Sequence, residues 1–347
     1  MGALVLITGA TGHIGFHILL HALDAGYTAR AAVRSQHQAD ALVAVPALKQ
    51  RQVGARLSFV VVPDLTRPGA YDEAVRGVRY IIHVASPLPT EGLTPEQFEA
   101  ELLEPAVRGT LGMLVSAQKT PTVRRIVITS STAAMDAKAD AVDTVFTAES
   151  RAPTPPVSTL QNPVQAYAAS KIKALNETEA WARREAPAFD VVNVHPSFVM
   201  GREEVHPTAD RLTSHGTNRL VLGVALGAKS PAPLPGTTVH VDDVARVHVG
   251  ALDARVPGNT SYLVTSNNPA GSLDGTVFQD AAKFVAKHFP DAVASGVLPN
   301  NGTQPSFAVK FDTSKTESTF GFTHLSYEEQ VKAVVGQYLE LVGFAEH

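Results

Sequence analysis

Tyr167 and Lys171 stand four positions apart in the run Tyr167-Ala168-Ala169-Ser170-Lys171. On a helix that spacing sets a phenol and an ammonium on one face, on neighbouring turns, where the pair can move a proton. A free tyrosine titrates near ~10, and a nearby positive charge favours the phenolate, so Lys171 is expected to tune Tyr167 for neutral pH. The chemistry that uses such a donor is the protonation of a carbonyl oxygen as a hydride arrives at its carbon. A hydroxyl is then wanted to orient the carbonyl and stabilise its developing charge. Ile126-Val127-Ile128-Thr129-Ser130-Ser131-Thr132 ends an apolar run with four hydroxyls in a row. A lone Tyr-x-x-x-Lys is often no more than a half-buried aromatic beside a solvated lysine. Its partners elsewhere in the chain decide the matter.

The hydride has to be carried by a dinucleotide, and the N-terminus offers a place for one. The apolar run Leu4-Val5-Leu6-Ile7-Thr8 leads into Gly9-Ala10-Thr11-Gly12-His13-Ile14-Gly15, with glycines three apart, and then into an amphipathic segment. Gly9 can take the positive φ of a tight turn, Gly12 lets backbone approach a pyrophosphate, and Gly15 lets the helix pack closely on the sheet. The turn, with Thr11, His13 and Ile14, is the expected cofactor site at a helix N-terminus. The bland alternative is a glycine-rich turn that binds nothing. At the end of the second strand an acidic residue would hold a free ribose 2′-hydroxyl, but the chain reads Ala31-Ala32-Val33-Arg34-Ser35. The planar fork of Arg34 suits a 2′-phosphate, which points to NADP(H) over NAD(H).

The elements that must position these groups follow from the hydrophobic pattern. Short branched runs at Leu4–Thr8, Thr28–Val33, Leu57–Val62, Tyr80–Val84, Arg125–Thr129 and Val191–His195 alternate with helix-like segments near 13–25, 36–50, 94–118 and 162–186. Each strand feeds a crossover helix, which makes an α/β fold with a doubly wound parallel sheet, a Rossmann arrangement. Beyond residue 196 the alternation gives way to loops and to helices near 209–226, 272–288 and 326–342, a smaller mixed part expected to bind substrate. The domains are expected at 1–195 and 196–347, with 238–264 returning to the main sheet.

Composition bounds the partners. The 347 residues are 44% hydrophobic and 18% charged with a net charge of -4, which fills a sizeable core and leaves no basic stripe for nucleic acid or a membrane surface. With no cysteine there are no disulfides, thiolate zinc sites or cysteine nucleophiles. The N-terminal run lacks a basic flank and is broken by Gly9, Gly12, His13 and His17, so it reads as a strand and not a signal peptide. A soluble, cytosolic protein acting on a small molecule, as a monomer or homodimer, is expected. The acceptor triplets at Asn176, Asn259 and Asn301 are read as chance.

The glycine turn, the hydroxyl cluster and the Tyr/Lys pair, in this order, resemble the extended short-chain dehydrogenase/reductases. Further matching segments are Val61-Val62-Pro63-Asp64-Leu65, His83-Val84-Ala85-Ser86-Pro87, His195-Pro196-Ser197-Phe198-Val199-Met200-Gly201 and His240-Val241-Asp242-Asp243-Val244. Within that family the chain is similar to the branch holding dihydroflavonol and cinnamoyl-CoA reductases and the fungal methylglyoxal, aldehyde and ketone reductases. The resemblance implies Ser131 as the catalytic hydroxyl beside Tyr167 and Lys171. It implies that Asp64 and Leu65 hold the adenine and that Val84, Ala85 and Ser86, with Thr129, line the ribose and nicotinamide side. Pro196, Ser197 and Val199 would cover the nicotinamide, Lys171 would bind its ribose, and Leu88, Ser131, Thr132 and Phe198 would meet a carbonyl substrate.

Some positions depart from that pattern. Arg108 stands where the branch usually has Asn, Gln38 replaces a basic helper of Arg34, and Leu88 and Thr132 stand where aromatics are common. The last two imply a roomier pocket. His13, His17 and His21 recur every fourth residue, but no carboxylate or cysteine partner accompanies them and no metal is expected. Asp242 and Asp243 read as a helix cap. Two rivals share the fold: a sugar-nucleotide epimerase or dehydratase, and a non-enzymatic dinucleotide sensor, which would not need the Tyr/Lys pair.

Overall fold

The structure is a computed structural model that describes residues 2–88, 92–137, 140–141, 143–267 and 272–344. Its strands are β1 (Leu4–Thr8), β2 (Thr28–Val33), β3 (Leu57–Val61), β4 (Tyr80–His83), β5 (Arg125–Thr129), β6 (Val145–Phe146), β7 (Asp190–Pro196), β8 (Phe198–Met200), β9 (Leu234–Pro235), β10 (Thr238–His240), β11 (Thr260–Val264), β12 (Ser306–Phe307) and β13 (Lys310–Phe311). The helices are α1 (His13–Asp24), α2 (Gln36–Ala44), α3 (Pro46–Gln50), α4 (Glu104–Gln118), α5 (Pro163–Glu185), α6 (Ala209–Ser214), α7 (Asn218–Leu226), α8 (Val241–Gly250), α9 (Ala281–His288), α10 (Pro290–Ala294), α11 (Ser314–Phe320) and α12 (Tyr327–Leu341).

Seven strands form one sheet in the order β11-β7-β5-β4-β1-β2-β3. Every pairing from β3 to β7 is parallel, as the alternation of strands and helices predicts. The chain lays β2 and β3 outward on one side of β1, then crosses back to set β4 on the other. Connections diverge at that switch between β1 and β4, which leaves a crevice beyond the strand ends. The interior strand β5 is buried at every residue and edge β3 at none, which is why Ile126-Val127-Ile128 reads as a continuous apolar run.

Two compact units emerge. The first comprises Met1–Asp136, Glu149–His195 and Ala245–Tyr262. Its core contains a register row across four strands, Leu6, Ile81, Ile126 and Val191, packed with Met113 and Leu114 of α4 and Trp181 of α5. At the start of β5 the buried Arg125 guanidinium donates to the carbonyls of Ala251 at 2.7 Å and Asp253 at 2.9 Å, and to Asp190 Oδ2 at 2.8 Å. The second unit comprises Ala137–Ala148, Pro196–Val244 and Leu263–His347. Its core joins Val221 and Val224 of α7, Val285 of α9 and Val331 and Val335 of α12 around Phe278 and Tyr327. Three short pairs, β8 with β10, β9 with β12 and β6 with β13, complete it.

Several expected helices are interrupted for local reasons. The segment 36–50 breaks at Val45, extended at ψ 129°, because a residue before proline is pushed out of the helical region, and Pro46 then opens α3. The segment 94–118 starts as a 3₁₀ turn and a π turn over Glu99–Leu103. Pro105 has no amide to give to the carbonyl one helical turn back, and the regular helix begins only at Glu104. Gly216, at φ 66°, parts α6 from α7. Residues 272–277 are not helical: Thr276 donates its amide to the Gly236 carbonyl at 2.8 Å. Among the described residues no helix is long and apolar enough to cross a membrane.

Candidate active site

Helix α5 is started by Asn162, whose side chain accepts the Gln165 amide at 3.0 Å, and by Pro163 in the first turn. This fixes the phase of the helix, so Tyr167 and Lys171 share a face. Lys171 is buried; its Nζ lies over the Tyr167 ring, 5.7 Å from the centroid, and donates to Ser86 Oγ at 3.0 Å. Ser131 caps the short turn Thr132–Met135, its Oγ accepting the Ala133 amide at 3.1 Å, and it hydrogen-bonds Tyr167. The three residues expected to do chemistry are therefore brought together by the end of β5 and one face of α5.

Their electrostatics differ from the expectation in one respect. Burial pushes the Tyr167 phenol up, and the opposing pull comes from its hydrogen bond to Ser131, not from Lys171. Lys171 lies against the face of the ring, and burial brings its own pKa down from 10.5 to about 8. Its charge acts on the buried His83, whose pKa falls to about 3 through burial first and Lys171 second.

The turn after β1 fits a dinucleotide. Gly9 has φ 71°, and a Cβ there would come within 3.0 Å of the Ala85 amide nitrogen, so the turn lies against the segment that follows β4. A Cβ on Gly15 would lie 2.1 Å from the Gly9 carbonyl oxygen, whereas one on Gly12 would meet only that oxygen, at 3.5 Å. Gly12 is exposed at the N-terminus of the 12-residue α1, where the first amides have no intrahelical acceptor, a setting that favours an anion. Thr11, His13 and Ile14 are half-buried around it. Arg34 is exposed just past β2; its amide donates to Gln38 Oε1 at 2.9 Å, and its guanidinium has no hydrogen bond or ion pair among the described residues. Gln38 thus props the loop that carries this cation.

The remaining site residues take varied places. Asp64 is exposed and accepts from the Thr66 amide at 2.9 Å and the Thr66 hydroxyl at 2.6 Å, which holds its carboxyl below the usual range. Leu65 is half-buried against Gly109 of α4. Val84, Ala85 and Ser86 are half-buried, Leu88 is 69% exposed, and residues 89–91 of the same loop lie outside the described ones. Thr132 is buried beside Ser131, whereas the Thr129 hydroxyl points elsewhere, 2.8 Å from His248 Nε2 of α8. In the second unit Pro196 closes β7, Ser197 donates its amide to Val264 O, Val199 pairs with Val239, and Phe198 packs edge-on to Phe278 at 5.9 Å. His13 and His17 meet edge to face at 5.7 Å, and no metal-binding cluster occurs among the described residues. Arg108 is exposed and paired with Glu104 at 2.7 Å. Asp242 and Asp243 lie in the first turn of α8, where Asp243 Oδ2 accepts the Leu325 amide at 2.7 Å.

Sequence reasoning passed over Thr8. Its Oγ1 accepts the amides of Val84 and Ala85, each at 3.0 Å, and lies 3.0 Å from His83 Nδ1. With both acceptor sites of the hydroxyl in use, its proton is left to donate to Nδ1, which puts the imidazole proton on Nε2. The available signal was a single threonine ending an otherwise aliphatic strand.

The sequence pattern of the NAD dependent epimerase/dehydratase family matches residues 5–264. The chain belongs to that family. A ketoreductase, CTB6, of Cercospora beticola is 43% identical over 351 aligned residues covering 98% of this chain and 96% of that protein. Among solved structures, yeast methylglyoxal/isovaleraldehyde reductase Gre2 complexed with NADPH superimposes with a TM-score of 0.81 at 26% identity, covering 99% of this chain and 100% of that one. Gre2 from Candida albicans in complex with NADPH gives a TM-score of 0.79 at 25% identity over 98% of this chain and 99% of that one. Members of the epimerase/dehydratase family share the sheet and the glycine turn, so the reaction has to be argued from the site.

Proposed function

We propose that this family member is a carbonyl reductase that converts an aldehyde or ketone to an alcohol with NADPH. The observation that carries the reading is the convergence of Ser131, Tyr167 and Lys171 at the strand ends beside the glycine turn. The first-turn amides of α1 with Gly9, Gly12 and Gly15 would hold the pyrophosphate, Arg34 the 2′-phosphate, Asp64 and Leu65 the adenine, and Ser86 and Lys171 the nicotinamide ribose. When bound, NADPH supplies the hydride. Ser131 orients the carbonyl oxygen by hydrogen bonding, and Tyr167 delivers a proton to that oxygen as negative charge builds on it. Lys171, held by Ser86, keeps a positive charge behind the tyrosine ring. Leu88 and Thr132, small for their positions, leave room for a bulky substituent on the carbonyl.

A similar ketoreductase and two Gre2 structures with NADPH support this reading. An epimerase or dehydratase of the same family would keep NAD bound and recycle it, and an exposed guanidinium past β2, with no partner among the described residues, suits a 2′-phosphate better. Dinucleotide binding is assigned to the first unit, and a cytosolic monomer or homodimer is the working form. The test is NADPH oxidation, followed by its absorbance, with aldehydes, keto esters, aryl ketones and flavanonols. Stoichiometric oxidation is expected, falling by about 10²–10⁴-fold in Tyr167→Phe, and Arg34→Ala is expected to erase the preference over NADH. Turnover without net NADPH consumption would overturn the reading.

A further inference from the structure

An open groove of about 550 Å³ lies within the first unit, between the second half of α5, the first residues of β7 and the edge strand β11. No residue of the reductase site borders it. Its volume is that of a small-molecule pocket and far exceeds a gap between side chains. Thr178, Ala182 and Ala186 recur every fourth residue on one face of α5, and the two alanines leave that wall shallow. Val191 and the ring of Phe189, which stacks on Trp181 at 18° and 6.3 Å, supply the rest of the apolar surface.

The deep end of this apolar groove is polar and short of partners. Thr178 is 1% exposed, and its Oγ1 meets no hydrogen-bonding group among the described residues. Asn193 is 5% exposed, and its carboxamide makes no hydrogen bond among them either. Buried polar groups are as a rule matched, so these two call for a partner from outside the chain. On their other side, toward Ser130 and Lys171, only about 20 Å³ is open, too little for an organic molecule. The mouth of the groove is charged. Arg151 is neutralised by Glu179 at 2.7 Å and donates to Ser261 Oγ at 2.9 Å. The Arg183 side chain is 73% exposed and approaches Glu179 Oε2 only to 3.9 Å, beyond hydrogen bonding, so it is the cation with donors to spare. Glu149, exposed on the segment before α5, puts a negative charge on the border, which leaves the α5 side for an anion.

We propose that this groove is a second small-molecule site, which takes a flat aromatic carboxylate bearing a hydroxyl at its far end. The hydroxyl enters first, donating to Asn193 Oδ1 and accepting from the Thr178 hydroxyl, which satisfies both buried groups. The aromatic body lies on Ala182, Phe189 and Val191. The carboxylate stays at the mouth and takes the planar fork of Arg183. Five residues of helix separate Thr178 from Arg183, a rise of about 7.5 Å. That span sets the distance between the two ends of the ligand and favours two fused rings over one. A cationic ligand would meet Arg151 and Arg183, and a wholly apolar one would leave Thr178 and Asn193 unmatched. Nothing in this site depends on Tyr167 or Lys171, so it stands or falls apart from the NADPH assay.

The probe is 6-hydroxy-2-naphthoate, titrated by its own fluorescence into the intact protein in the presence of saturating NADP⁺, which keeps it out of the dinucleotide site. Binding to one site with a Kd of about 10–100 μM is expected. 2-Naphthoate, which lacks the hydroxyl, should bind the wild type about tenfold more weakly, and Asn193→Leu should bind the two probes equally. Arg183→Ala should weaken 6-hydroxy-2-naphthoate about threefold and flatten its salt dependence. Ala182→Trp fills the groove and should abolish binding, with circular dichroism and NADP⁺ affinity as in the wild type. No binding below about 1 mM would overturn the proposal. So would equal affinity of the wild type for the two probes, wild-type affinity in Arg183→Ala, or retained binding in a folded Ala182→Trp protein. Should Ala182→Trp or Asn193→Leu fail to fold, the pair of probes on the wild type and on Arg183→Ala still decides it.

Discussion

Two rows of the same strands, separated by two residues, have opposite characters. The lower row, Leu6, Ile81, Ile126 and Val191, is wholly aliphatic and nearly water-free. The upper row replaces three of those side chains with Thr8, His83 and Asn193. A fully buried aliphatic side chain contributes about 1.5–3 kcal/mol, whereas a buried polar group left unmatched costs about 1–3 kcal/mol. The sheet therefore takes its stability from the lower row, and the upper row gives some of it up for groups that hold the segment after β4 and back the buried lysine. Function sits where the strand ends stop being optimal for folding.

The largest expected effect comes from the lower row. Ile126→Ala should remove about 2–5 kcal/mol of stability in urea unfolding, because its packed surroundings cannot close over the gap, while kcat of the folded fraction stays unchanged. A loss of kcat at equal folded fraction would erase the distinction between the rows. In the upper row, Thr8→Val takes the acceptor from two amides and the donor from His83 Nδ1; a smaller loss of about 2–3 kcal/mol is expected, with a raised KM for NADPH because the Val84–Ala85 segment is released. Thermal unfolding together with cofactor titration checks this, and an unchanged KM would confine Thr8 to folding.

The remaining effect is on pH dependence. His83 is neutral in the fold, with a pKa of about 3 against 6.5 for an ordinary imidazole. The unfolded chain takes up that proton as pH falls through the ordinary value, so the stability from the neutral ring is fully present above it and lost progressively toward pH 3. The slope from one group cannot exceed about 1.4 kcal/mol per pH unit. His83→Gln should flatten the urea-derived stability between pH 6 and 4 relative to wild type. An identical slope would assign the acid sensitivity to other groups.

What the sequence disclosed follows the same division. Strands Leu4–Thr8, Thr28–Val33 and Arg125–Thr129 coincide with their expected limits because each carries a short run of buried aliphatic side chains bounded by polar or turn residues. Tyr167 with Lys171, and Gly9 with Gly12 and Gly15, are legible because their geometry is local to one helix or one turn. Thr8 and His83 are 75 positions apart, and only strand register sets them side by side. The broken helices at Val45 and before Glu104 could have been read from Pro46 and Pro105, whereas the loop at 272–277 depends on a backbone contact with Gly236 that no local pattern encodes.

The clamp at Arg125 has a consequence for distant residues. One bond from the guanidinium to Asp190 ties the foot of β5 to β7, and two more to the Ala251 and Asp253 carbonyls hold the guanidinium itself in place, which opposes sliding of β5 against β7. Side chains alternate along a strand, so a slip of one place would turn Ser130 away from α5 and bring Thr129 round in its stead. Damage at Asp190, at the opposite end from any reacting group, would then surface as misaligned hydroxyls above, an error of phase and not of composition.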